Sequence, residues 1–344
     1  MPKPDAPRRS RSSWFAPGRI ATTGALLLIL AIFVGWLVPA NGYDLLLVDP
    51  AHPVAPLIRI EGRHAKPGPG SVYFVDVQEN RARFLERVVP WVRPDGSSLV
   101  PAPDVPTVVD RRLALAEMQD SQRIAPYAAL RLLGYEVSAR FRGITVLAVE
   151  SDAPAAKVLE PNDVILGVDG RTVRTIAELR AALAAKRPGD PVTVRFRRRA
   201  RIRKATFPTA ADPLDPRRAI VGVSAEDDLH VKLPFAVRIN AGAIGGPSAG
   251  LAFALEILRE LGRDVTHGHK VAATGELELD GTVLPIGGVK QKTLGARRAH
   301  VDVFLVPAGT NAREARRYAD GLRIIPVDNL QQALRALATL WPKA

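Results

Sequence analysis

The chain has 344 residues and a formal net charge of +13, and its 47% hydrophobic content provides enough apolar material for roughly two to three folded domains. It contains no cysteine, which excludes disulfides, thiolate catalysis and cysteine-bound zinc. Its six histidines form no H-E-x-x-H pattern, so we expect neither a bound metal nor a cofactor.

The first candidate element is an uncharged stretch that follows the basic residues 1–19 and has ALLLILAIFVGWLVPA at its centre. As a helix it would be about 28 Å long, close to the thickness of a bilayer core. The charge asymmetry predicts a transmembrane anchor at 20–40, with a cytoplasmic basic tail and with the remaining domains outside the cell membrane. A signal peptide cleaved near VPA at 38–40 is the alternative.

Residues 43–125 form a predicted N-terminal extracytoplasmic region. SVYFVDVQ at 71–78 predicts a strand in which Val72 and Phe74 share one face, and Asp76 fits that face less well. DRRLALAEMQDSQRIAPYAALRLLGY at 110–135 predicts a helix that is interrupted near Pro126. These patterns carry no catalytic chemistry and indicate a structural role.

Residues 126–209 alternate short apolar strands with one helix. The strands are predicted at ITVLAV (144–149), DVILGVDG (163–170) and VTVRFRR (192–198), and the helix at IAELRAALAAKR (176–187). The basic run RFRRRARIRK at 195–204 is typical of a solvated strand pair with basic outward faces, or of a membrane-surface contact. Because only one aromatic residue interleaves with the arginines, we expect no nucleic-acid binding.

The stretch SDAPAAKVLEPNDVILGVDGRTV in this region resembles a PDZ domain. Asn162 stands where that family usually has glycine, and asparagine tolerates a positive φ. The resemblance implies a groove between a strand and a helix that binds an extended peptide, with the loop of that groove near Arg142, Gly143 and Ile144. An edge strand that binds nothing is the alternative.

A serine at the start of the last predicted unit, residues 210–344, has two interpretations. IGGPSAGLAF at 244–253 places Ser248 just before an apolar helix, which is typical of a helix cap. A serine at a helix N-terminus also lies beside unpaired N–H groups that could stabilise an alkoxide or an oxyanion. A nucleophilic role requires a base.

The sequence offers two candidate bases. His230 follows Asp227 and Asp228, so a Ser-His-Asp triad is conceivable. Lys292, in GGVKQKTLGARRAH (287–300), shares one helix face with three apolar residues, Val289, Ala296 and Ala299. Burial there would lower its pKa from about 10.4, and a drop of roughly three units would make it a base near neutral pH. A lysine that extends to solvent is the alternative.

The order of segments favours the lysine. GGPSAG is followed by TGELELDGTVLPIGGVKQK (274–292) and VFLVPAGTN (303–311), and this order closely resembles the protease domain of the Lon family. The resemblance implies that Ser248 is the nucleophile and Lys292 the general base of a Ser-Lys dyad, that Thr274 supports the dyad, and that Lys290 has no catalytic role.

Two further positions complete the expected site. Gly246 occupies a position that is usually acidic in Lon itself, although anchored relatives share this departure. Backbone N–H groups around Ser248 and Ala249 are the expected oxyanion hole.

The whole arrangement resembles the YlbL-type PDZ-containing Lon-like proteases. The expected fold class is α+β multidomain, with an N-terminal transmembrane helix, a PDZ-like domain and a C-terminal Lon-type α/β proteolytic domain. The chain has no G-x-x-x-x-G-K-[ST] motif, so the predicted function is an ATP-independent, membrane-anchored serine endopeptidase acting on proteins or peptides. By analogy it could form a homo-oligomeric ring. A PDZ scaffold with an inactive Lon-like domain is the alternative.

Overall fold

The computed structural model describes residues 17–62, 69–102, 107–213 and 215–342. Most of the predicted basic tail lies outside these residues. The helices are α1 Pro17–Leu37, α2 Phe84–Val88, α3 Thr107–Leu132, α4 Ile176–Leu183, α5 Gly250–Glu260, α6 Val289–Arg298, α7 Thr310–Arg317 and α8 Leu330–Leu337.

The strands of the described residues are mostly grouped between these helices. They are β1 Pro39–Val48, β2 His52–Pro53, β3 Ile58–Ile60, β4 Ser71–Phe74, β5 Val77–Arg83, β6 Ser98–Pro101, β7 Ser138–Val149, β8 Val164–Val168, β9 Arg171–Thr172, β10 Pro191–Arg198, β11 Arg201–Pro208, β12 Ala210–Ala211, β13 Ala219–Ile220, β14 Val223–Lys232, β15 Val237–Ile239, β16 Lys270–Ala273, β17 Glu276–Leu277, β18 Val283–Leu284, β19 Val303–Pro307 and β20 Arg323–Val327.

The chain divides into two compact units, and the smaller one comprises Met1–Leu47 and Glu79–Ala102. Its sheet has the strand order β5-β1-β6 over a small apolar core. Helix α1 ends at Leu37, and the chain enters β1 at Pro39, a residue that cannot continue a helix. None of the helices within the described residues combines the length and apolarity needed to cross a membrane. The predicted transmembrane anchor at 20–40 is therefore not supported.

The larger unit comprises Val48–Gln78 and Pro103–Ala344 and contains two main sheets. One has the strand order β11-β10-β8-β7-β14, with β9 paired to β8. Its core is lined by inward side chains of alternating strand positions, among them Ile144, Ile165 and Phe196. Asn162 adopts φ +72° in the turn before β8, as its sequence position predicts. The basic run forms the β10–β11 hairpin, an antiparallel pair.

The second sheet has the order β2-β4-β16-β19-β20, in which all pairs except β2–β4 are parallel. Helices α5 and α8 contribute to the apolar core beneath it. Strands β2 and β4 come from residues 48–78. The predicted N-terminal region 43–125 is therefore divided between the two units.

Helix α3 is continuous through Pro126, contrary to the predicted interruption. Proline removes one backbone donor and crowds the preceding turn, which weakens a helix. Here Ala125, Ala128 and Ala129 around it are buried in the same core as α5. Tertiary packing thus stabilises a helix that local propensity alone would break.

Candidate active site

Ser248 lies in the turn that leads into α5. The N-cap of α5 is Ala249, which has helical φ and ψ, and no side chain caps this helix end. The Ser248 hydroxyl is therefore not used as a helix cap. The residues of α5 from Gly250 to Arg259 are all buried, which fixes the helix and the serine turn before it within the core.

Thr274 and Gly275 hold the backbone of Ser248 in place. The Gly275 N–H donates to the Ser248 carbonyl at 2.8 Å, and the buried Thr274 Oγ1 donates to the same oxygen at 3.2 Å. Gly275 has φ +155°, and a Cβ at this position would lie 2.4 Å from a methyl carbon of Val283. Only glycine fits this close approach. Thr274 thus supports the proposed dyad through the backbone of Ser248.

Helix α3 supports the other side of the serine turn. The Gly246 N–H donates to the Ala114 carbonyl at 2.7 Å, and Ser121 Oγ donates to the Pro247 carbonyl at 3.2 Å. Because its N–H is engaged, Gly246 supports the loop and does not supply an oxyanion donor. Ala249 is buried, and its N–H donates in none of the hydrogen bonds between described residues.

Lys292 reaches Ser248 from α6. Its Nζ donates to Ser248 Oγ at 2.6 Å, and the residue is 5% exposed. The predicted apolar face of α6 is present, since Val289 and Ala296 are buried beside it. Burial lowers the pKa of Lys292 to about 8, and the negative charge of Asp76 acts in the opposite direction. The amine is therefore neutral in part of the population near neutral pH.

The other candidate bases lie elsewhere. His230 is exposed on β14, opposite Arg140 of β7. Lys290 places its ammonium 5.7 Å from the ring centroid of Tyr318. The structure thus brings Lys292, and neither of these residues, to the serine hydroxyl.

Asp76 is the site residue that sequence reasoning missed. It lies between β4 and β5, half-buried, and its Oδ1 is buried without a hydrogen-bond partner. Burial raises its pKa, as does the nearby Asp49, whereas His52 lowers it. The only sequence signal was an acidic residue on the apolar face of a predicted strand.

The predicted peptide-binding loop is a strand in the structure. Arg142, Gly143 and Ile144 lie within β7, and β14 pairs antiparallel with β7 from Ser138 to Val149. An added peptide strand needs a free edge. The edge of β7 at which a peptide strand would be added is already paired with β14 of the same chain.

Strand β14 also contacts the helix of this domain. The Asp227 Oδ1 accepts a hydrogen bond from the Ile176 N–H at 2.7 Å, at the first residue of α4. Asp227 therefore satisfies a backbone donor at the helix N-terminus, where a negative charge is favourable. The chain's own strand lies where the resemblance implies a bound peptide.

Together, the fold and the site define a class of protein in which a PDZ-like sheet is joined to a second mixed domain that presents a buried lysine to a serine. Comparisons with known proteins agree. The Lon protease (S16) C-terminal proteolytic domain model matches residues 217–339, and the PDZ domain model matches residues 131–209.

Curated Lon proteases match part of the chain. Lon protease 1 of Myxococcus xanthus is 40% identical over 119 residues, which are 33% of this chain and 14% of that protein. Lon protease 1 of Sorangium cellulosum is 46% identical over 88 residues, 25% of this chain and 10% of that protein. The chain thus spans only a small part of the length of these relatives.

Among solved structures, the PDZ domain of the SdrC-like protein from Listeria monocytogenes is 25% identical and covers 25% of this chain and 90% of that chain, with a TM-score of 0.24. The two family models, and not this structural likeness, show that the chain contains a Lon-type proteolytic domain and a PDZ domain. They confirm the predicted resemblance to PDZ-containing Lon-like proteases at the level of these two domains.

Proposed function

We propose that this chain is a serine endopeptidase in which Ser248 is the nucleophile and Lys292 the general base. The observation that carries the proposal is the 2.6 Å hydrogen bond between a buried lysine amine and the serine hydroxyl, within a Lon-type proteolytic domain. A serine hydroxyl is a weak nucleophile until a neighbouring base removes its proton. A buried amine with a lowered pKa is suited to that task.

The proposed reaction uses the groups already described. The neutral Lys292 amine takes the Ser248 proton as Oγ forms a bond to the peptide carbonyl carbon, and the carbonyl oxygen becomes an oxyanion. The Ala249 N–H is the proposed oxyanion donor, supported by the positive end of α5. The lysine ammonium then protonates the leaving amine, and water hydrolyses the acyl-enzyme.

We further propose that hydrolysis needs no ATP and that the substrates are unfolded or extended segments of proteins. The similarity to the Lon proteases extends over 84 to 162 residues, and the 344 residues contain no G-x-x-x-x-G-K-[ST] motif of a P-loop ATPase. Proteolysis that does not use ATP-driven unfolding acts on chains that are already extended. Location outside the cytoplasm and assembly into a ring stay predictions.

The alternative function, a peptide-binding PDZ scaffold with an inactive Lon-like domain, has less support. A scaffold requires an accessible strand edge, and β14 occupies that edge of β7. An inactive domain would have no need for a buried lysine bonded to the serine, because burying that amine is costly.

A serine-directed fluorophosphonate probe tests the proposed nucleophile on the full chain. We expect labelling of the wild type, loss of labelling in Ser248→Ala, and unchanged labelling in Ser151→Ala, a control at an exposed turn serine. Lys292→Ala should lower cleavage of an unfolded protein on the order of a thousandfold or more, with or without ATP. Labelling that persists in Ser248→Ala would contradict the assignment.

A further inference from the structure

Three titratable side chains form a cluster in the segments that pack against α6, the helix of Lys292. Asp49, His52 and Asp76 place one polar atom each within 4.8 Å of one another. His52 Nε2 is hydrogen-bonded to Asp49 Oδ2 at 3.1 Å, and the His52 side chain is 45% exposed. Asp76 is the inner member, and the proposed mechanism gives it no role.

This cluster is packed against the helix that carries the lysine. The Ala51 N–H donates to the Gly295 carbonyl at 3.2 Å, and a Cβ on Gly295 would lie 2.1 Å from the Asp49 carbonyl oxygen. The segment before β2 therefore lies directly on α6, at a position where only glycine fits.

The residues next to the cluster share a buried core with α6. Ala51 and Val75, which flank the acidic residues in sequence, pack with Val289 and Ala296. The position of Asp76 relative to α6 is thus set by a packed core, not by a mobile loop.

Among the described residues, the charge of Asp76 raises the pKa of Lys292. The pKa of Asp76 is in turn raised by Asp49 and lowered by His52. The cations of α6 itself are directed elsewhere, since Arg298 donates to the Val48 carbonyl at 3.2 Å and Lys290 lies over Tyr318. Asp76 is therefore the carboxylate whose charge acts on the buried amine.

Proton transfer creates a charge that this arrangement can stabilise. When Lys292 takes the Ser248 proton, an ammonium forms in a site from which water is largely excluded, and such a charge is costly without a partner. A carboxylate close by offsets part of that cost. Without it the amine would be neutral more often but would be a weaker base.

We propose that Asp76 is a positioning residue that acts through Lys292: its carboxylate stabilises the ammonium formed during acylation and sets the pH range in which the lysine works as a base. This proposal rests on the proposed Ser-Lys function. It assigns Asp76, which follows β4, to the electrostatics of the dyad, with Asp49 influencing the pKa of Asp76.

The test is the pH profile of fluorophosphonate labelling and of kcat/KM for a peptide substrate, measured on the full chain. In the wild type we expect the rate to rise with a midpoint near pH 8. Asp76→Asn should move this midpoint to lower pH by about one unit and lower the plateau rate roughly threefold to tenfold, because a negative charge near the ammonium is lost. Asp76→Glu should restore most of both.

The matched control is Asp320→Asn. The Asp320 side chain is 76% exposed and forms an ion pair with Arg297 of α6. This variant therefore removes an acid paired to the helix of Lys292 without altering the surroundings of the amine. We expect neither its midpoint nor its plateau to change. If Asp76→Asn fails to fold, Asp76→Thr serves as the neutral variant, and thermal unfolding establishes which variants are native.

Several outcomes would overturn the proposal. A lower plateau with an unchanged midpoint in Asp76→Asn would indicate a purely structural role. The same three side-chain types also bind divalent cations, so loss of wild-type activity with EDTA would assign the cluster to a metal instead. Failure of the wild type to label would refute the proposed nucleophile itself, whereas normal labelling without a midpoint shift would refute only the role of Asp76.

Discussion

Replacing Lys292 with methionine should abolish activity and stabilise the fold at neutral pH. Methionine fills a similar volume without a charge. The lysine has a pKa of about 8 in the folded chain, against an ordinary value of 10.5 that applies to the unfolded chain. At pH 7 both states hold the proton, and the folded state bears the cost of burying it. Removing the amine removes that cost.

The magnitude follows from the two pKa values. Their difference of about 2.5 corresponds to ~3 kcal/mol of destabilisation at pH 7. As pH rises from 8 towards 10.5, the folded chain loses its proton first and the destabilisation fades to below ~1 kcal/mol at pH 10. The lost hydrogen bond to Ser248 costs about 1 kcal/mol at both pH values. The net gain at pH 7 is therefore about 2 kcal/mol.

Denaturant and thermal unfolding of wild type and Lys292→Met at pH 7 and pH 10 measure this. The decisive quantity is the change, between the two pH values, in the stability difference of the two proteins, because the titration of all other groups cancels in it. We expect the advantage of the variant to shrink by about 2 kcal/mol from pH 7 to pH 10. An advantage that is equal at both pH values, or one that is smaller at pH 7 than at pH 10, would show that the lysine does not carry a buried charge.

Substitutions at three further residues, with their controls, test the serine turn and the buried charge on α3. Thr274→Val should lower kcat about tenfold to a hundredfold with little change in KM, and Thr274→Ser should retain activity, because the hydroxyl positions the serine carbonyl. Gly275→Ala should lower stability by about 2–3 kcal/mol, since its Cβ would lie 2.4 Å from Val283, whereas Gly287→Ala, with open space around it, should unfold like the wild type. Asp120→Asn should stabilise the fold on the order of 1 kcal/mol at pH 7.5, because burial raises the Asp120 pKa to about 6, and this gain should vanish by about pH 3, below the unfolded pKa of 3.8, where the wild-type carboxyl is protonated in both states. Equal gains at both pH values would contradict the last expectation.

The local pattern of the sequence predicted those features that depend on near neighbours. The strands and the helix of residues 126–209 follow from apolar periodicity, and the positive φ of Asn162 follows from its turn. The approach of Lys292 to Ser248 was implied by the resemblance of the motif order to the Lon family, because the apolar face of α6 alone left open a lysine that extends to solvent. Each of these signals lies within a few tens of residues.

Features that depend on distant pairing were not predicted. Strand β4 pairs with β16, two hundred residues later, and β14 pairs with β7 across the whole intervening domain. Neither pairing can be predicted from the local sequence, because strand propensity does not specify which strand is the partner. The role of Asp76 was missed for the same reason, since its neighbours come from other segments.

Strand β14 joins the two domains through its pairing with β7. A PDZ-like sheet ending at residue 209 would leave the β7 edge unpaired, and a proteolytic domain starting at 210 would lack β2 and β4. Strand β14 belongs to the sheet of the first domain, and the chain runs from it to Ser248 through β15 and the connecting residues 233–236 and 240–247. One continuous segment therefore covers the edge at which the resemblance implies a bound peptide and leads to the proposed nucleophile.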